Sequence, residues 1–183
     1  MSIPNILSGI RIILVPVFVW QYAEGNVPQA MAVLLLAGLT DIMDGAIARR
    51  FNMATELGKA LDPVADKLIQ AAMMLCAVST YPLMWLLFGL HLLRECTLAA
   101  VGLYVIRTTG TVYSANWYGK VCTAVIYAVM IGVLAYPQLP ERYVTFGVLL
   151  CSALVVMCLV MYLSSYIDIL ERYRREGDKN TSA

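Results

Sequence analysis

Hydrophobic residues recur along the chain in six long runs, separated by short polar or proline-containing stretches. About 20 apolar residues in a helix, rising about 1.5 Å each, cross the hydrocarbon core of a bilayer. The pattern therefore predicts an all-α polytopic membrane protein with six transmembrane helices and a short N-terminal interfacial segment. No repeat or composition break divides the chain, so 1–183 is predicted to be a single domain. The predicted helices are 5–22, 28–50, 56–79, 83–107, 118–136 and 143–172.

Composition supports a membrane protein, because 61% of the residues are hydrophobic and 14% are charged. Soluble domains have about 45–50% apolar and about 25% charged residues. The net charge is +1 and there is no basic tract, which argues against a nucleic-acid partner. The five cysteines form no CxxC motif and are predicted to be buried small hydrophobic residues. The N-terminus lacks a basic segment followed by a cleavage site, so no removable signal peptide is expected.

Lysine and arginine predict the orientation of these helices. With six crossings, both termini share one side of the membrane with the second-to-third and fourth-to-fifth connections. The opposite connections hold only Arg142. The positive-inside rule therefore predicts a cell-membrane protein whose basic side faces the cytoplasm. The residues on that side are Arg49, Arg50, Lys59, Arg107, Lys120, Arg172, Arg174, Arg175 and Lys179.

Four aspartates interrupt the apolar pattern, at Asp41, Asp44, Asp62 and Asp66. An ionisable residue inside a membrane costs a few kcal/mol or more and is usually functional. Spacings of three and four place each pair on one helical face. A turn near residue 53 would bring all four to one depth, about 10–13 Å from the turn. Clustered carboxylates require cations, and all-oxygen ligands favour two Mg²⁺ or Mn²⁺ ions. Alternatively, the aspartates form ion pairs, with Arg49, Lys59 or Lys67.

The residues around the aspartates form a longer motif, Asp41-x2-Asp44-Gly45-x2-Ala48-Arg49-x8-Gly58-x3-Asp62-x3-Asp66. At all eight fixed positions this stretch resembles the signature of the CDP-alcohol phosphotransferases. The resemblance implies a membrane enzyme that transfers a phosphatidyl group from CDP-diacylglycerol to an alcohol acceptor and releases CMP. It also implies a homodimer. An active site on the cytoplasmic side fits a substrate that carries a cytidine nucleotide.

The resemblance also assigns roles. Asp41, Asp44 and Asp62 would hold one metal ion, and Asp41, Asp62 and Asp66 the second. Asp66 would in addition be the general base for the acceptor hydroxyl. Residues implied to bind the CDP-lipid are Asn5, Gly45, Ala48, Arg49, Thr55 and Gly58.

Simpler interpretations remain open for several of these CDP-lipid residues. Asn5 and Thr55 are also suitable helix caps. Gly45 and Gly58 also permit close helix packing, and Arg49 also suits anchoring at the membrane surface.

Cations further along the chain are candidates for binding the acceptor, namely Arg94, Arg107 and Lys120. Arg94-Glu95 and Gly119-Lys120-Val121-x-Thr123 resemble motifs of the phosphatidylglycerophosphate synthases, which predicts glycerol 3-phosphate as the acceptor. Cys122 departs from that motif, where a second lysine is usual. The same region also resembles cardiolipin synthases, whose acceptor is phosphatidylglycerol, and this alternative stays open.

Two other classes use intramembrane aspartates. A cation transporter would bind ions in passage, but the chain lacks an inverted repeat with paired broken helices. A prenyltransferase uses aspartate motifs of another form. Two isolated polar residues have structural interpretations. His91 is predicted to pack or to form a hydrogen bond. Arg11 has two interpretations: it extends its charge to the interface, or it belongs with Asn5 and Ser8 to a pattern that is similar to one of the CDP-alcohol phosphotransferases.

Overall fold

The computed structural model describes the backbone over residues 3–51, 56–110 and 117–181, and side chains over 7–40, 63–110 and 117–175. Within these ranges the chain is helical, without a strand, as predicted. Every helix boundary but one lies within two residues of its prediction. The six helices are α1 (Ile3–Ala23), α2 (Val27–Phe51), α3 (Glu56–Val78), α4 (Met84–Thr109), α5 (Trp117–Ala135) and α6 (Glu141–Thr181).

The C-terminal end of α6 is the exception, because the helix was predicted to end at 172 and extends to Thr181. This segment carries charges of both signs, and Arg175 lies 3.7 Å from Glu171 one turn earlier. Such pairs stabilise exposed helices by about 0.2–0.5 kcal/mol each. The charged tail therefore continues the helix.

Among the residues whose side chains are described, three helical segments are long and apolar enough to cross a membrane, Met84–Thr109, Trp117–Ala135 and Glu141–Arg175. The described parts of the first two helices, Leu7–Ala23 and Val27–Thr40, are apolar as well. The prediction of an all-helical membrane protein is thus supported at this coarser level. Six crossings remain a prediction.

The predicted turn at residues 24–26 joins α1 to α2. Gly25 has a φ of 78°, in the left-handed region that favours glycine. Its amide donates to the Tyr22 carbonyl, and the Asn26 amide donates to the Gln21 carbonyl, both at 3.0 Å. These two bonds form a Schellman motif, which ends α1 by satisfying its last carbonyls.

The chain forms two compact units. The first comprises Met1–Trp85 with Met130–Glu141, and the second Leu86–Val129 with Arg142–Ala183. In the first unit α1 packs against both α2 and α3. The Tyr81 hydroxyl lies 3.0 Å from the Pro137 carbonyl oxygen and 3.1 Å from that of Leu139, and so connects two turns of this unit. A single domain over 1–183 stays a prediction.

Tyrosines organise the second unit where α5 begins. The rings of Tyr118 and Tyr162 meet edge to face with centroids 4.7 Å apart, and the hydroxyls of Tyr118 and Ser165 lie 3.3 Å apart. Gly119 permits this contact, since a Cβ there would lie 3.2 Å from two Tyr162 ring carbons and closer still to its hydroxyl. The close approach of α5 and α6 therefore requires a residue without a side chain at position 119.

Candidate functional site

The four aspartates lie in pairs on two helices of the first unit. Asp41 and Asp44 belong to α2, and Asp62 and Asp66 to α3. Their predicted helical setting is therefore confirmed by the backbone. Thr55 lies outside the described residues. The structure describes only the backbone at Asn5 and at the motif positions before Asp66, namely Asp41, Asp44, Gly45, Ala48, Arg49, Gly58 and Asp62.

Asp66 is the predicted ligand whose side chain the structure describes. Its carboxylate is half-buried. The side-chain amide of Gln70, one turn further along α3, donates to Asp66 Oδ2 at 3.1 Å. Gln70 is 1% exposed. A polar residue that sequence reasoning did not single out thus contacts a predicted catalytic residue.

Charged residues are confined to adjacent halves of α2 and α3. In α2 the first charge is Asp41, and in α3 the last is Lys67. Thr40 marks the change in α2, where its buried hydroxyl donates to the Ala37 carbonyl at 2.8 Å. Because the Thr40 hydroxyl finds this partner within its own helix, the polar segment begins without an added burial cost.

Arg11 on α1 is 2% exposed, and its Nε and Nη1 atoms are buried. The expectation that Arg11 extends its charge to the interface is therefore wrong. Ser8, three residues earlier, is fully buried as well. A buried charge is costly unless it is compensated, so α1 adds a buried cation to the unit that carries the aspartates. The sequence signal for a role other than anchoring was the pattern formed by Asn5, Ser8 and Arg11.

Arg94 is buried in the middle of α4, at 4% exposure, and its Nη1 lies 3.3 Å from Glu95 Oε1. Among the described residues, Nε and Nη1 of Arg94 find no hydrogen-bond acceptor. The guanidinium therefore has a charge partner but retains hydrogen-bonding capacity. His91, one turn before Glu95, is 3% exposed, in agreement with its predicted packing.

Arg107 and Lys120 lie in a different place from Arg94. Both are exposed, at the end of α4 and the start of α5, on either side of the same connection. Arg107 follows Arg94 by 13 residues, which on a helix is about 20 Å of rise and an angular separation of about 140° around the axis. One phosphate therefore cannot bind both arginines of α4. All three residues stay predicted acceptor ligands, in two separate groups.

All five cysteines are free thiols, and Cys76, Cys122, Cys151 and Cys158 are buried as predicted, whereas Cys96 is exposed. Among the side chains described, no group of three His, Cys, Asp or Glu residues is placed to hold a metal ion. Three of the four predicted metal ligands lie outside that set. The carboxylates themselves are the hard oxygen donors that Mg²⁺ and Mn²⁺ prefer.

Comparison with known families distinguishes between the three functional classes considered from the sequence. The sequence model of the CDP-alcohol phosphatidyltransferases matches residues 1–167. The chain belongs to this family. It is therefore a phosphatidyltransferase of phospholipid biosynthesis, and neither the transporter nor the prenyltransferase interpretation is retained.

Individual relatives agree with this assignment. A CDP-diacylglycerol–glycerol-3-phosphate 3-phosphatidyltransferase of Aquifex aeolicus is 33% identical, over 92% of this chain and 93% of that protein. A probable phosphatidylglycerophosphate synthase of Mycobacterium tuberculosis is 34% identical, over 85% of this chain and 76% of that protein. A probable cardiolipin synthase (CMP-forming) of Drosophila melanogaster is 39% identical, but over 58% of this chain and 33% of that protein.

Proposed function

We propose that this enzyme transfers the phosphatidyl group of CDP-diacylglycerol to glycerol 3-phosphate, giving phosphatidylglycerophosphate and CMP. The observation that carries the proposal is the complete eight-residue motif from Asp41 to Asp66, divided between α2 and α3. The acceptor is inferred from the two relatives that align over most of this chain, whose names specify a glycerol-3-phosphate phosphatidyltransferase and a phosphatidylglycerophosphate synthase.

In the proposed reaction, a hydroxyl oxygen of the acceptor attacks the phosphorus that bears the diacylglycerol. The new phosphorus–oxygen bond replaces the bond to the bridging oxygen, which leaves with CMP. Asp66 takes the proton of the attacking hydroxyl as general base. Its half-buried position and the bond from Gln70 support this role, because both limit the orientations of the carboxylate.

Asp41, Asp44, Asp62 and Asp66 would hold two divalent cations, Mg²⁺ or Mn²⁺. When bound, these ions would neutralise the diphosphate and stabilise the charge that develops in the transition state. The donor set fits them, since four carboxylates on two helices supply hard oxygen ligands. The chain itself contributes helices that fix the spacing of these ligands.

The CDP-lipid would be bound by the motif residues between the aspartates and by residues near them in sequence. Arg49 suits phosphate oxygens, because its guanidinium can donate two parallel hydrogen bonds. Small residues suit positions where the nucleotide approaches the backbone. The proposed set is Asn5, Gly45, Ala48, Arg49, Thr55 and Gly58.

The acceptor phosphate would be bound by one or more of the cations Arg94, Arg107 and Lys120. Arg94 is the leading candidate, because buried Nε and Nη1 atoms remain available for hydrogen bonds. A phosphate bound there would benefit from low local dielectric. Arg107 and Lys120 are exposed. Their positive charges would attract the anionic acceptor before it is bound. A homodimer in the cell membrane, with six crossings and a cytoplasmic active site, completes the proposal.

Cardiolipin synthesis is the alternative, with phosphatidylglycerol as acceptor. One specific observation favours it, the 39% identity to the Drosophila relative. That alignment covers 58% of this chain, whereas the Aquifex alignment covers 92%. Glycerol 3-phosphate therefore remains the leading acceptor.

A direct assay separates these acceptors. Purified protein in detergent is mixed with CDP-diacylglycerol, Mg²⁺ and either glycerol 3-phosphate or phosphatidylglycerol, and CMP release and lipid products are measured. We expect CMP only with glycerol 3-phosphate, together with phosphatidylglycerophosphate. Cardiolipin formed from phosphatidylglycerol would support the alternative, and no CMP with either acceptor would refute both.

A further inference from the structure

Gln70 is a buried polar residue in the apolar half of α3, one turn beyond the last aspartate of the motif. Its neighbours Ile69, Met73 and Met74 are buried apolar residues. An amide placed in such surroundings costs free energy unless both its donor and its acceptor are satisfied. An apolar side chain of similar length would pack there without this cost. The presence of an amide at position 70 therefore needs another explanation.

The amide is only half satisfied. Nε2 of Gln70 donates to Asp66 Oδ2 at 3.1 Å. Oε1 of Gln70 is buried without a hydrogen-bond partner among the residues that the structure describes. Exchanging the amide oxygen and nitrogen would not help, since it would set the amide oxygen against an acceptor-only carboxylate. The contact that accounts for Gln70 is thus its hydrogen bond to Asp66.

We infer that Gln70 is a positioning residue for Asp66, holding the carboxylate in the orientation needed for metal binding and proton removal. This inference rests on the proposed role of Asp66. Residues 66 and 70 are one turn apart on α3, so the helix itself places their side chains next to each other. The hydrogen bond restricts rotation of the Asp66 side chain, and the burial of Gln70 restricts its own. Asp66 is therefore oriented before substrate binds.

The expected effect of losing Gln70 can be taken from other residues that hydrogen-bond to metal ligands. Hydrogen-bond partners of metal ligands typically contribute about 10- to 100-fold to metal affinity or activity. Gln70 touches neither substrate in this proposal, so its loss should lower kcat and leave the KM for CDP-diacylglycerol within about threefold. A residue that matters only for folding would not produce this separation.

The test uses Gln70→Met, which keeps the length of the side chain and removes the amide. Met74→Leu is the matched control, because Met74 is fully buried on the same helix and has no role in the proposed reaction. We expect Gln70→Met to melt at or above the wild-type temperature, since it removes an unsatisfied buried acceptor. We expect kcat to fall about 10- to 100-fold, and Met74→Leu to retain wild-type kcat.

A second readout does not depend on turnover. Binding of Mn²⁺ alone to the detergent-purified protein is followed by electron paramagnetic resonance for wild type, Gln70→Met, Asp66→Asn and the double variant. We expect Gln70→Met to weaken Mn²⁺ binding in the wild-type background and to have no further effect when Asp66 is already replaced. Should Gln70→Met fail to fold, Gln70→Leu, which also lacks the amide donor, is measured instead.

Unchanged kcat and Mn²⁺ affinity in a folded Gln70 variant would overturn the inference. An equal loss of Mn²⁺ affinity from Gln70→Met in the wild-type and Asp66→Asn backgrounds would overturn it as well, because Gln70 would then act independently of Asp66. Loss of activity in Asp66→Asn alongside an unaffected Gln70→Met would leave the proposed function standing. A wild-type protein that releases no CMP would refute the proposed function and this role with it.

Discussion

At the scale of single residues, Asp66 carries two proposed roles, metal ligand and general base. Asp66→Asn keeps the shape of the side chain and its contact with Gln70, but removes the group that accepts the proton. We expect kcat to fall by about 100- to 10,000-fold, the usual contribution of a general base. Affinity for CDP-diacylglycerol should fall much less, because three carboxylates remain to hold at least one cation. Binding and turnover measured on the same preparation give the comparison.

Equal losses of affinity and turnover in Asp66→Asn would indicate that Asp66 is a ligand and not the base. Leu68→Ala serves as the control for this comparison. Leu68 is exposed on the same helix, two residues away, and makes no polar contact that the reaction needs. Its substitution should leave both quantities near their wild-type values.

The other three aspartates should behave differently from Asp66. Asp41→Asn, Asp44→Asn and Asp62→Asn each remove an anionic ligand, so we expect activity to fall by more than about 100-fold, since even outer partners of metal ligands contribute about 10- to 100-fold. Chelation should abolish wild-type activity reversibly, with Mg²⁺ or Mn²⁺ restoring it. Full CMP release in excess chelator would contradict the two-metal proposal.

Some of these residues could be predicted from the sequence and others could not. The aspartates were predictable because their spacing matches the helical period and their charge is costly in a membrane. Gln70 was not, because a lone amide in an apolar run belongs to no motif and its role depends on a contact. The burial of Arg11 was not predictable for a related reason, since a long side chain within an apolar run can either reach the membrane surface or be buried against other helices.

At the scale of helices, Gly119 belongs to the motif that suggested an acceptor site, yet the structure gives it a packing role. A Cβ there would lie 3.2 Å from two ring carbons of Tyr162, whose ring contacts that of Tyr118. We expect Gly119→Ala to destabilise the protein by about 1–3 kcal/mol, the usual cost of overpacking. The melting temperature in detergent measures it.

Gly132 provides the control within the same helix, because nothing lies within 4 Å of a Cβ built there. Gly132→Ala should be neutral or stabilising by up to about 1 kcal/mol, from helix propensity alone. Adding Tyr162→Phe to Gly119→Ala should restore part of the lost stability, because the hydroxyl is the atom nearest the new methyl group. A stable Gly119→Ala with impaired acceptor binding would instead assign Gly119 to the site.

Helix boundaries were predictable because turn residues mark them, as Gly25 does between α1 and α2. The end of α6 was not, since the helix continues beyond the last apolar residues into a charged segment. The acceptor cations show a further limit. Sequence placed Arg94, Arg107 and Lys120 in one predicted site, but residue type does not reveal that the rise of α4 separates the two arginines by about 20 Å.

At the scale of the whole molecule, the distribution of lysine and arginine predicts that both ends of the chain face the cytoplasm. Six crossings require α1 and α2, of 21 and 25 residues, to span the membrane as well. In a bacterial host, we expect alkaline phosphatase fused after Ala183 to be inactive and a green fluorescent protein fused there to fluoresce. Phosphatase fused after Pro140, in the connection before α6, should be active because that side carries only Arg142. An active phosphatase at the C-terminus, with an inactive one after Pro140, would reverse the orientation and place the aspartates away from the cytoplasm. Activity at both sites would show that α6 does not cross, and six crossings would then be wrong.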